Sequence, residues 1–257
     1  MRKALLAVLA LAASVHFVFA TPSAVGGPPF ITDDPEPVDF QHWEVYIASQ
    51  TFHQFGQFYG TLPHIEVNYG AAPNLQLHVI APMAYAAATG SPTTYGYGDT
   101  ELGMKLRLVQ ETPKQPMVGV FPLVEVPTGA ASRGLGSGSY AEFLPLWMQK
   151  TYGAWTLYGG GGYWHNPGVG NRDYWFSGIT AQCQTTKSLM LGGEVFYTTP
   201  QVTGTSSIGG FNLGGQYDFD EGHHLMFSIG TGFHGPDHGT MYAAYQWTFG
   251  PKEKKSD

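Results

Sequence analysis

The connections in this chain alternate, short then long, along nearly its whole length, and this constrains the fold more than any single residue does. Gly70-Ala71-Ala72-Pro73, Glu111–Pro116, Thr151-Tyr152-Gly153, Thr185–Ser188 and Asp218–Gly222 are short and turn-like. Between them come longer stretches rich in Gly, Ser, Thr and Pro: His53–Gly60, Thr89–Gly98, Thr128–Ser139, Asn166–Arg172, Thr199–Ser206 and His234–Gly239. Transmembrane β-barrels have this asymmetry, with short turns on the periplasmic side and longer loops outside the cell. A soluble sandwich has no reason to keep every second loop short. The pattern therefore places Glu111–Pro116 in the periplasm and Thr128–Ser139 outside.

Between the connections the sequence alternates with period two, the mark of a strand with two unlike faces. Twelve such segments lie near 42–52, 61–69, 74–86, 99–109, 117–127, 142–150, 155–165, 173–183, 189–198, 207–217, 223–233 and 240–249. In the second, Ile65, Val67 and Tyr69 alternate with His64, Glu66 and Asn68; in the fourth, Leu102, Met104, Leu106 and Leu108 oppose Glu101, Lys105 and Arg107. In the last, Met241, Ala243, Tyr245, Trp247 and Phe249 share one face before the polar tail Pro251–Asp257. A final strand of alternating aromatics that ends in Phe is similar to the assembly signal of outer-membrane barrels. Trp43, Tyr69, Tyr85, Tyr152, Trp155, Trp164 and Tyr174 fall near strand ends, where interfacial girdles would put them. The expected fold is all-β: a closed antiparallel up-and-down transmembrane barrel of twelve strands, with the first and last paired.

Composition agrees. Charged residues make up 12% of the chain, against roughly 25% in soluble domains. Aromatics reach 14% and glycines number 35, yet mean hydropathy is only -0.12, which excludes a bundle of apolar transmembrane helices. A net charge of -7 argues against nucleic-acid binding. Cys183 is the single cysteine, so no intrachain disulfide forms. Met1–Ala20 has the form of a cleaved signal peptide: Arg2 and Lys3, an apolar stretch over Ala4–Val15, and Val18-Phe19-Ala20 at its end. The expected organisation is a leader over 1–20, a periplasmic N-terminal segment over 21–41, a barrel over 42–250 and a polar tail over 251–257. The bacterial outer membrane is the expected location, with its lipids and its assembly machinery as partners.

Several stretches resemble a family of bacterial outer-membrane barrels labelled as transporters and grouped with the meta-pathway phenol-degradation proteins. They are Pro28-Pro29-Phe30-Ile31-Thr32-Asp33-Asp34-Pro35-Glu36-Pro37, Leu62–Gly70, Gly98-Asp99-Thr100-Glu101-Leu102-Gly103, Phe121–Gly129 and Gly159–Trp164. The resemblance implies a barrel and a transport role. It brings no catalytic or ligand residues with it.

The polar-face residues His64, Glu66, Asn68, His78, Glu101, Lys105, Arg107, Glu125 and Glu194 are the candidates for the lumen, either as a ladder that stiffens the wall or as a constriction that sets selectivity. Twelve strands is intermediate between small filled barrels and wide porins, so a narrow or partly occluded pore is expected. Ile31–Asp39 carries Asp33, Asp34, Glu36 and Asp39 between prolines, which forbid a helix. It could be a strap at the barrel mouth, a plug in the lumen or a calcium site. His224 and His234 flank one strand and stand roughly 33 Å apart at about 3.3 Å per residue, so they cannot share a metal, though His234 and His238 with Asp237 could. Arg133–Tyr140 lacks the spacing of a phosphate-binding loop. No cofactor is implied. Ser49, Ser177 and Ser228, with His64, His78 and His224, offer no paired nucleophile and base by sequence. The expected function is passage of small apolar or aromatic solutes. The alternatives are a structural barrel with a sealed lumen, an outer-membrane lipid hydrolase, and a secreted sandwich or glycan-binding domain.

Overall fold

The computed structural model describes residues 27–251; the leader at 1–20 and nearly all of the polar tail lie outside the described residues. The chain forms one antiparallel sheet of fourteen strand segments. They are β1 (Trp43–Gln54), β2 (Gln57–Ala72), β3 (Leu75–Ala88), β4 (Thr94–Tyr97), β5 (Thr100–Val109), β6 (Met117–Val120) and β7 (Leu123–Val126). After a 3-10 turn at Ala131–Arg133 come β8 (Ala141–Tyr152), β9 (Trp155–His165), β10 (Tyr174–Gln184), β11 (Leu189–Thr198), β12 (Ile208–Asp220), β13 (His223–His234) and β14 (His238–Phe249). Two pairs of segments are single staves with a break. β4 and β5 both pair with β3 and are interrupted at Gly98-Asp99. β6 and β7 both pair with β5 and β8 and are interrupted at Phe121-Pro122. The wall therefore has twelve staves. It closes through β1 and β14, which pair from Trp43↔Phe249 to Gln54↔His238.

The two faces separate as the alternation requires. Ile47, Leu102, Met104, Val195, Leu213, Ile229, Tyr245 and Trp247 are exposed on the outside. With no water to hide from on that side, they form the belt that lipid solvates, and closure leaves no unpaired strand edge within it. Both ends of the barrel strands, Trp43 and Phe249, lie at the short-turn end. A bulge on β2 between Thr61 and His64 turns Leu62 and Pro63 outward while returning His64 to the inside.

Three expectations need correcting. His53–Gly60 is not a long loop: β1 and β2 run on and close through Phe55 and Gly56, both at positive φ (51° and 72°), the backbone of a tight hairpin. His234–Gly239 likewise contracts to 235–237. Trp164 and Tyr174 are not girdle residues. Trp164 points inward, is 2% exposed, and stacks on Phe143 at 4.8 Å and on Tyr174 at 5.8 Å. Together with Phe176, Phe196 and Trp147 they make an aromatic core within the barrel.

Candidate functional site: the lumen

Eight of the nine polar residues expected in the lumen are buried inside the barrel. Four of them form a relay of contacts across three staves. Asn68 Nδ2 donates to Glu66 Oε1 (2.8 Å), which leaves Asn68 Oδ1 to accept from His78 Nδ1 (2.6 Å). His78 Nε2 then faces Glu101 Oε1 at 2.9 Å. Glu125 lies directly across the ladder from Glu101. His64 stands apart and bonds Thr61 Oγ1 at 2.6 Å. Arg107 does not join these groups. It sits at the short-turn rim, where Nε donates to Asn74 Oδ1 (3.0 Å) and Nη2 to the Pro73 carbonyl (2.9 Å). It has the right parity, but it is too near the strand end to reach the interior.

The remaining two, Lys105 and Glu194, hold a part of the chain that is not wall. Residues 27–38 run inside the barrel, against inward-facing residues of the wall. This segment opens in a turn where the Phe30 amide donates to the Gly27 carbonyl (3.0 Å), and the Asp34 and Glu36 amides donate to Asp33 Oδ1 and Asp34 Oδ1 (2.7 Å each), but its prolines forbid a helix and leave other amides without a partner in the segment. The wall supplies those partners. Glu194 accepts from the amides of Ile31 (2.8 Å) and Thr32 (2.7 Å) and from Asn212. Gln76 Oε1 accepts from the Val38 amide (2.9 Å), and Ser228 Oγ donates to the Pro29 carbonyl (2.5 Å). Lys105 Nζ reaches Asp33 at 2.9 Å and Asp34 at 3.4 Å. The segment also lies hard against the wall at Gly178, where an added Cβ would stand 1.9 Å from Thr32 Oγ1. Of the three placements open for Ile31–Asp39, the lumen is the one occupied.

The segment separates two cavities of unlike character. Toward the short-turn end a cavity of about 400 Å³ is lined by Asp33, Asp34, Glu36, Glu44, Glu66 and Lys105, with Gln76, Gln182, Gln216 and Gln246 around it. Toward the long-loop end a cavity of about 70 Å³ is lined by Ile31, Phe52, Trp164, Tyr174, Phe176, Phe196 and His238, with Gln54 and Gln201 nearby. Ile31 belongs to one and Asp33 to the other, so Thr32 marks the divide. The aromatic lining is absent from the sequence-derived candidates, although parity could have supplied part of it: Phe196 is two residues from Glu194 and shares its face.

Other candidate chemistries are placed as follows. Ser49 and Ser228 donate to backbone carbonyls rather than to a histidine. Ser207 Oγ does lie 3.1 Å from His234 Nε2, at the exposed long-loop rim. Among the described residues no group of three or more His, Cys, Asp or Glu is arranged to hold a metal ion; His224 pairs with Asp218 at 2.7 Å, and Asp237 faces His53 at 3.5 Å.

No protein-family profile and no curated protein sequence matches the chain. Solved structures do match in fold. The outer membrane channel described as COG4313, from Pseudomonas putida F1, aligns with a TM-score of 0.65 at 16% identity, covering 84% of this chain and 98% of that one. The NanC porin aligns at 0.57 with 5% identity, covering 79% and 98%. The KdgM porin in complex with disordered oligogalacturonate aligns at 0.54 with 13% identity, covering 80% and 99%. At these identities the likeness is one of architecture: the chain is an outer-membrane β-barrel of the channel and porin shape.

Proposed function

We propose that this barrel is a narrow channel for small, largely apolar or aromatic solutes across the outer membrane, and that the segment 27–38 closes it. One observation carries the proposal. The lumen holds two cavities interrupted at a single level by an element that is not part of the wall. A barrel meant to be sealed would more simply fill its interior with wall side chains, as small barrels do. The aromatic cavity toward the cell exterior favours apolar rings. The interior carboxylates Asp33, Asp34, Glu36, Glu44, Glu66, Glu101, Glu125 and Glu194, set against Lys105, disfavour polyanions. The KdgM structure contains an oligogalacturonate, an acidic chain that this interior would repel. The resemblance to barrels grouped with phenol-degradation proteins points the same way.

Planar-bilayer recording tests the channel. The intact protein should show small or infrequent conductance steps, and a chain lacking residues 28–38 should show larger, sustained ones. If neither protein conducts, the sealed-barrel alternative holds. Uptake of labelled aromatic compounds by cells with and without the protein then tests the solute class.

A further inference from the structure

We propose that the cavity on the long-loop side of the segment is a binding site for a single aromatic ring bearing one hydrogen-bonding group, such as a phenolic hydroxyl, and that His238 recognises that group. This rests on the channel reading and deepens it, by naming what the aromatic cavity selects.

The walls offer ring faces and edges: Phe52, Trp164, Tyr174, Phe176 and Phe196, with Ile31 of the segment as the floor. Phe176 and Phe196 are stacked at 6.5 Å, and Trp164 and Tyr174 at 5.8 Å. Aromatic rings prefer such offset and edge contacts, so a planar guest finds favourable geometry from several directions. Among these rings His238 is the exception. It is 7% exposed, and neither ring nitrogen has a hydrogen-bond partner among the described residues. Its ring is held at 5.9 Å from Phe196 and 6.2 Å from Phe52, while the neighbouring Asp237 carboxylate is turned to His53. A buried polar group left without a partner is unfavourable, and such a group in a native protein calls for an explanation. Neutral imidazole has one donor and one acceptor nitrogen, so it can accept from a phenolic O–H or donate to a carbonyl.

The size and the lining define the class: rings make most of the wall, and Tyr59, Thr198, Gln54 and Gln201 supply polar atoms beside His238. At about 70 Å³ the cavity is smaller than the roughly 150 Å³ space that takes up benzene in an apolar core. It seats part of one ring, with the rest of the guest lying toward the rim at Gln54 and Gln201. A sugar would need many hydrogen bonds, which ring faces do not provide. A pure hydrocarbon would leave His238 unsatisfied.

The test uses purified full-length protein in detergent micelles and two fluorinated probes, 4-fluorophenol and fluorobenzene, followed by fluorine NMR with empty micelles as the blank. The expected result is saturable binding of 4-fluorophenol about tenfold tighter than fluorobenzene, the effect of one hydrogen bond. His238→Phe should erase the difference, and His238→Gln should retain part of it. No saturable binding of 4-fluorophenol, equal affinity for the two probes, or a preference that survives in His238→Phe would overturn the proposal. Should His238→Phe fail to fold, histidine-labelled nitrogen NMR on the unaltered protein decides. The His238 nitrogens must shift as 4-fluorophenol saturates, and an unmoved signal at saturation rejects the site. A protein that shows this preference but never conducts would sink the channel reading alone. One that conducts without the preference would sink only this inference.

Discussion

Lys105 and Arg107 lie two residues apart on the same face of one strand, and the structure gives them different work. Lys105 is buried and pairs with both Asp33 and Asp34, most closely with Asp33. Removing one partner of such a pair costs about 3–5 kcal/mol when the other must stay buried. Here the carboxylates can leave with the segment, so Lys105→Ala should free the segment rather than melt the barrel. The expected outcome is a rise in single-channel open time with little change in the temperature at which the barrel loses its compact gel migration. Arg107→Ala breaks only bonds to Asn74 and the Pro73 carbonyl at the rim; it should cost about 1 kcal/mol and leave the open time unchanged. Period two identified the face these residues share. It carries no information on height within the wall, and so it could not separate a latch from a rim contact. Glu111, in the short-turn connection, gives a pH signature. Its partial burial works against the charge, but the Lys150 ammonium at 2.8 Å, the Thr151 amide at 3.0 Å and the Lys150 charge together hold its carboxyl below the ordinary glutamate value. A lowered folded value means the stabilisation is complete above the ordinary value, about 4.3, and is lost as pH falls through the folded one. Glu111→Gln should therefore lower stability by less than about 1 kcal/mol at neutral pH, and the wild-type and variant denaturation midpoints should converge in acid.

At the scale of an element, the inner segment depends on glycine in the wall. Gly178 has no side chain where Thr32 comes closest, so Gly178→Ala should expel the segment while the β9–β10 and β10–β11 ladders stay paired. Thr32→Ala in the same chain removes the oxygen that clashes and leaves Cβ facing Cβ at 3.1 Å. The double variant should regain the low conductance of the parent, whereas persistent opening in the double variant would mean Gly178 matters for another reason. The strands themselves were largely readable, since each segment of alternation corresponds to a stave. Their upper ends were not. His53, Gln54 and Gln57 continue β1 and β2 past the apolar belt, and polar residues in a paired hairpin look the same in sequence as polar residues in a loop. Trp164 falls near a strand end, where a girdle residue would stand, and with Tyr163 beside it two adjacent aromatics leave the inward face undetermined by sequence. The inner segment was beyond reach of periodicity altogether, because an irregular chain whose partners are distributed over β3, β5, β11 and β13 has no local pattern of its own.

The molecule as a whole presents an apolar belt to the outside and keeps its buried charges inside, beside an aromatic core. Leu213 lies midway along β12 and is 60% exposed on the outer face; Leu213→Arg should cost roughly 2–4 kcal/mol in a bilayer, measured by urea unfolding from lipid vesicles, and a neutral result would mean the belt is not in lipid at that height. A tag placed within 127–140 should be reached by antibody on intact cells, and one placed within 110–116 should not; the reverse labelling would turn the barrel over. That long connection is itself ordered. Asp99 accepts from Gly129 N (2.9 Å) and Ser137 N (2.6 Å), Arg133 donates to the Tyr95 carbonyl (3.1 Å), and Leu135 is 1% exposed. It sits against β4 and the break at Gly98-Asp99. The two interrupted staves are neighbours, and β4 pairs on one side only. Considered as a hoop under load, the barrel has unequal stiffness around its circumference. Long, unbroken ladders make most of the ring rigid, including the β1–β14 seam, and the strain of any change in cross-section falls on the arc from β4 to β7. A guest slightly too large for the lumen would thus widen the barrel on one flank, and the 127–140 connection would serve as the buttress that limits how far that flank can give.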